Sequence, residues 1–107
     1  MEAREVGGWV LLGNLRVLMF WVAYYVGYSF EDSDWAAVQA ALPATNSEQA
    51  SGWFDYPLIG SPPLRVWLAQ TPGDTPVSIR ITGDMDPSLE ARFETLIHVL
   101  QDVELGR

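Results

Sequence analysis

The stretch from Trp9 to Phe30 constrains this chain most, because it gathers a long apolar and aromatic run that some other surface must cover. Its uncharged part, Val17 to Phe30, is fourteen residues long. A bilayer-crossing helix needs about 20 apolar residues, and Arg16 inside the longer window is costly in hydrocarbon. Glu2 and Glu5 stand where a secretory signal carries basic residues, and no small-residue cleavage site precedes Glu31. The segment therefore reads as a buried element of a globular core, with no membrane as partner.

Its alternation predicts a strand. Phe20, Val22, Tyr24, Val26, Tyr28 and Phe30 fall on one face at period two, and Trp21, Ala23, Tyr25, Gly27 and Ser29 on the other. Aromatic and β-branched residues suit a pleated surface covered on both sides, so a central strand is expected, with a buried helix as the competing reading. Upstream, Gly13-Asn14 between apolar runs is a hairpin signal, although a helix from Val10 to Leu18 is also compatible. Residues 1–18 are thus expected to be a hairpin strand or an N-terminal extension.

After Glu31 the period changes. Asp32, Ser33 and Asp34 offer capping oxygens, Trp35, Val38 and Leu42 recur at helical spacing, and Pro43 stops the run, which predicts a short helix over 33–42. The small polar stretch 43–52 reads as a loop. Trp53 to Ile59 suits a short edge strand interrupted by Pro57. Leu64 to Thr71 and Pro76 to Thr82 form a hairpin around Pro72-Gly73-Asp74-Thr75. With Thr71 facing Pro76, Leu68 opposes Ile79 and Val66 opposes Ile81. Trp67 then opposes Arg80, Arg65 opposes Thr82 and Ala69 opposes Ser78 on the other face. Asp86 caps a final helix with Pro87 at its first position. The apolar stripe of that helix is Leu89, Phe93, Leu96, Ile97, Leu100 and Val103, and Gly106 ends it. The expected architecture is one α+β domain over 1–107. It has an antiparallel sheet of about four to five strands packed against a C-terminal amphipathic helix, and a second short helix.

Composition then narrows the chemistry. The chain holds 14 Asp plus Glu, six arginines, no lysine and no cysteine, for a net charge of −8. No lysine means no Schiff base or P-loop, and no cysteine means no disulfide, thiolate metal site or thiol nucleophile, which suits a reducing, cytoplasmic setting. The acidity disfavours nucleic acid as a partner. His98 falls opposite the apolar stripe, between Glu94 and Asp102, and so in solvent. Glu31 to Asp34 lacks the spacing of a calcium loop, and Asp84 and Asp86 are accounted for as turn and cap. Nothing in sequence brings Asp55 to a second carboxylate, Gly60-Ser61-Pro62 is not a nucleophile elbow, and Gly7-Gly8 is no phosphate loop. No catalytic residue, metal or cofactor is expected.

Arg65, Trp67 and Arg80 remain as a candidate interaction patch, since arginine beside tryptophan is typical of binding hot spots. The competing readings are that they brace the hairpin or are covered by the N-terminal segment. Trp21, Tyr24, Tyr25, Tyr28, Trp35, Trp53, Phe54 and Tyr56 are more aromatics than one small core holds, which predicts a self-associating surface. The expected function is a small acidic, non-enzymatic protein-interaction module whose partner is another protein, itself included as a homodimer. One alternative is an acidic inhibitor or immunity-type protein that binds a basic target, with Glu90, Glu94, Asp102 and Glu104 on the last helix as the carboxylates to test. The other is a small-molecule binder with the aromatic strand as pocket wall.

Overall fold

The computed structural model describes residues 3–71 and 76–102. Its elements are β1 (Ala3–Leu11), α1 (Leu15–Tyr25), α2 (Asp32–Ala41), β2 (Phe54–Leu58), β3 (Leu64–Gln70), β4 (Pro76–Asp84) and α3 (Pro87–Asp102). The four strands form one antiparallel sheet in the order β1-β4-β3-β2. The α+β class and the packed C-terminal helix are as expected, with four strands.

The aromatic segment is a helix, which corrects the expected central strand. Leu15, Leu18, Met19, Val22 and Ala23 are buried within α1, and Val26 at its C-terminal cap continues the row. Their spacings of 3, 1, 3, 1 and 3 make a helical stripe. The helix satisfies its own backbone while burying six side chains, each contributing about 1.5–3 kcal/mol if large and apolar. A strand here would need a hydrogen-bonded neighbour on each side and cover on both faces. Gly27 ends the helix at φ 74°, with its N–H donating to the Tyr24 carbonyl and the Tyr28 N–H to the Ala23 carbonyl. That pair of bonds is a Schellman cap, for which glycine supplies the left-handed residue without a Cβ penalty.

Gly13-Asn14 is likewise not a hairpin turn. The chain passes from β1 through a 3-10 turn, Leu12–Asn14, straight into α1, and β1 pairs instead with β4, Val6 opposite Ile81. Residues 3–11 are thereby an edge strand of the sheet. Asn14 is fully buried, and its Nδ2 donates to the Leu100 carbonyl of α3 at 2.9 Å.

Other expectations hold closely. β3 and β4 pair in the expected register, and α2 begins one residue earlier than expected, with Glu31 and Asp34 forming a capping box. Pro57 sits in β2, an edge strand, where a missing N–H costs no ladder bond on the open side. Asp86 accepts the Leu89 N–H at 2.7 Å and so caps α3. The turn Pro72 to Thr75, the Asp102 side chain, Val103, Glu104 and Gly106 lie outside the described residues.

The inner sheet face, with Val6, Val10, Val66, Leu68, Ile79 and Ile81, joins the apolar faces of α1 and α3 in one core. α3 crosses β1 where Gly8 leaves room for Ile97, and the Arg4–Glu90 ion pair at 3.0 Å ties the same two elements. Helices thus cover one face, and the other carries exposed Trp9, Arg65 and Arg80.

Candidate interaction surfaces

Strand alternation puts Arg65, Trp67 and Arg80 together on the outer sheet face, in the expected cross-strand relation. The structure gives each a partner. Arg80 donates to Glu5 Oε1 through Nε at 3.0 Å and Nη2 at 2.6 Å, Arg65 pairs with Asp55, and Trp67 Nε1 donates to Thr82 Oγ1 at 3.1 Å. The ring beneath the Arg80 guanidinium is Trp53, at 5.6 Å, brought in by the chain leading into β2. Glu5, Trp53, Trp67, Arg80 and Thr82 line a shallow recess of about 290 Å³. Its guanidinium charge is balanced by carboxylates from neighbouring strands, each exposed pair being worth about 0–1 kcal/mol. Asp55 Oδ1 is buried without a hydrogen-bond partner.

A second surface was not legible as such in the sequence. Because the buried stripe of α1 faces the sheet, Phe20, Trp21 and Tyr24 are forced outward, where a surface helix ordinarily carries charge. They are 47%, 39% and 62% exposed. Their rings stack edge-on in a row, Phe20 to Trp21 at 5.6 Å and Trp21 to Tyr24 at 5.5 Å, and Trp21 leans on Tyr25 at 6.2 Å. Tyr25 in turn packs on the core ring of Phe93 at 6.1 Å and lies under the Arg92 guanidinium at 5.5 Å. Beside this ridge, Tyr25, Ala91, Arg92, Thr95, Leu96 and Val99 line a groove of about 500 Å³ between α1 and α3. Val99 is itself 48% exposed. A contiguous apolar surface of this kind on a small domain is a binding-site signature.

On the opposite flank of the ridge, Phe20, Tyr24, Gly27, Tyr28, Ser29 and Phe30 line a recess of about 360 Å³. Beneath it lies a compact polar cluster. The hydroxyls of Tyr28 (2.8 Å) and Tyr56 both donate to Asp34 Oδ1, and the Glu31 N–H donates to Oδ2 at 2.8 Å. The Tyr56 hydroxyl, then the Glu31 N–H, hold the Asp34 carboxyl below the usual carboxylate range. The bond to Asp34, chiefly, raises the Tyr28 hydroxyl, while burial, then Asp34, raises that of Tyr56. Asp32 is occupied by Arg16.

The remaining sequence candidates do not converge. His98 is exposed on α3, Asp86 serves as a cap, and Glu31 and Asp34 are engaged at the start of α2. Among the described residues no group of three or more His, Cys, Asp or Glu could hold a metal ion, and no helix is long and apolar enough to cross a membrane. No family model, curated protein or solved structure matches the chain. The signal that could have located the ridge is the stripe from Leu15 to Val26 closed by Gly27, which leaves Phe20, Trp21 and Tyr24 on the far side.

Proposed function

We propose that this chain is a non-enzymatic protein-interaction module that pairs with a second copy of itself through the α1–α3 face. The observation that carries the reading is the exposed, pre-stacked row of Phe20, Trp21 and Tyr24 lying beside the apolar groove that ends at Leu96 and Val99. A ridge next to a groove is self-complementary: about a twofold axis, the ridge of each copy enters the groove of the other, as an isologous interface requires. Trp21 and Tyr24 already pack against neighbouring rings, so little side-chain entropy is lost on docking. The net charge of −8 opposes association of two copies in general, but the ridge itself carries no charged side chain and the groove residues named above include no carboxylate. A basic target is the less favoured partner. The carboxylates Glu5, Asp32, Asp55 and Glu90 are each paired with an arginine of this same chain.

Sedimentation velocity across a concentration series tests the proposal. A concentration-dependent dimer is expected, and Trp21→Ala combined with Val99→Glu should weaken it by about 30-fold or more, the effect of removing a hot-spot contact of about 2 kcal/mol. Trp9→Ala on the sheet face should leave it unchanged. A chain that stays monomeric at high concentration, or a dimer lost only with Trp9, would overturn the reading.

A further inference from the structure

We infer that the recess lined by Phe20, Tyr24, Tyr28 and Phe30 is a binding site for a small quaternary ammonium compound. Three observations converge on that class. The first is the lining: four aromatic side chains border one open recess of about 360 Å³, the size range of small-ligand pockets, about 300–1,000 Å³. Aromatic faces carry partial negative charge and attract cations that cannot form strong hydrogen bonds, which is how quaternary ammonium groups are recognised.

The second is the charge beneath it. Tyr28 donates its hydroxyl to Asp34, so its ring is made electron-rich by an ionised carboxylate. Glu31, the N-cap of α2, follows directly on Phe30, and the whole chain carries −8. Such a field raises the local concentration of cations.

The third is what the site withholds. None of the lining residues is a carboxylate. Both Asp34 oxygens are already taken, Oδ1 by two tyrosine hydroxyls and Oδ2 by the Glu31 N–H, and Asp32 is held by Arg16. A guanidinium or primary ammonium would surrender its hydration without finding a carboxylate fork in return. A trimethylammonium group has no N–H to satisfy and loses nothing by that arrangement. Among the described residues, Arg80 on Trp53 and Arg92 on Tyr25 show rings of this fold already engaging cations, with the chain's own arginines as the occupants.

The recess shares Phe20 and Tyr24 with the ridge of the proposed dimer, so it is a site of the monomer. The titration is made at a chain concentration where sedimentation shows monomer, which keeps its outcome separate from that of self-association. Its test is an NMR titration of the full ¹⁵N-labelled chain with choline chloride at constant ionic strength, compared with 3,3-dimethylbutan-1-ol, which has the same shape and no charge. Choline should shift the Gly27 and Ser29 amides at a concentration at least about tenfold lower than the neutral isostere. Tyr24→Leu, at a largely exposed position, should abolish the response while leaving the far-UV circular dichroism unchanged. Tyr28→Phe, which keeps the ring and removes the link to Asp34, should weaken it several-fold. Equal responses to choline and the isostere, or a choline response confined to other residues, would overturn the inference. So would a trimethyllysine peptide that binds tenfold tighter than choline, since the occupant would then be a protein side chain.

Discussion

Replacing Gly8 with alanine probes the contact on which the two-layer arrangement rests. An added Cβ would stand 2.9 Å from Ile97 Cγ2 and 3.5 Å from Gln101 Nε2. Carbon atoms pack best at about 3.5–4.0 Å, so the Ile97 methyl must retreat by about 0.6 Å or more. It cannot swing aside, because a β-branched residue in a helix has one strongly preferred rotamer, and α3 itself has to lift from β1. Overpacking of this kind costs about 1–3 kcal/mol. The loss of glycine's freedom in the unfolded chain returns about 0.4–1 kcal/mol. The net expectation is a loss of about 1–2 kcal/mol, which at this size lowers the melting temperature by about 4–8 °C per kcal/mol. The decisive measurement is the double-mutant cycle with Ile97→Ala, followed by urea unfolding. With the methyl gone, Gly8→Ala should become neutral or slightly stabilising, giving a coupling of about 1–3 kcal/mol between the two sites. Strict additivity, or a neutral Gly8→Ala in the parent chain, would refute the crossing of α3 over β1 at this point.

Two further expectations concern polar groups. Asn14→Ala should cost about 1–3 kcal/mol, because a buried side-chain hydrogen bond to the Leu100 carbonyl is lost. Asn14→Asp should cost more at neutral pH, where a buried carboxylate faces the Leu100 carbonyl, and because that setting raises its folded-state pKa the loss should be recovered in part as pH falls from neutral toward about 4; equal melting temperatures for the two variants at neutral pH would contradict this. Asp34 has a folded-state pKa below its ordinary value of 3.8, so the stability it confers is fully present above that value and fades as pH falls through the folded one. The gap between the parent chain and Asp34→Asn, about 1 kcal/mol or less for so accessible a carboxylate, should therefore be widest near pH 7 and close near pH 2. A gap unchanged between those pH values would show that the charge of Asp34 plays no part.

Where local chemistry decides structure, the sequence was legible. Asp86-Pro87 announced α3, Pro43 stopped the helical run that begins at Asp32, and the alternation in residues 64–71 and 76–82 carried the register that sets Trp67 against Arg80. The segment around Phe20 was misread because its outward face is aromatic rather than charged. Counted by hydrophobicity alone, Phe20, Val22, Tyr24 and Val26 alternate well enough to imitate a strand, although only Val22 and Val26 of the four are buried. The patch at Arg65, Trp67 and Arg80 was placed correctly on one face, but its neutralising partners Glu5 and Asp55 come from strands 75 and 10 residues away along the chain.

By itself, then, the sequence determined the class of fold, the C-terminal helix and its cap, the β3–β4 pairing, and the lack of lysine and cysteine chemistry. Each of these follows from the residues present or from bonds between near neighbours. Tertiary structure alone decided that β1 pairs with β4, that Gly8 admits Ile97, that Tyr28 and Tyr56 meet on Asp34, and which side of α1 faces the solvent. These are contests between distant surfaces for the same core. Burial of Leu15, Leu18, Met19, Val22, Ala23 and Val26 against the sheet outweighs burial of the larger rings, and leaves Phe20, Trp21 and Tyr24 outside.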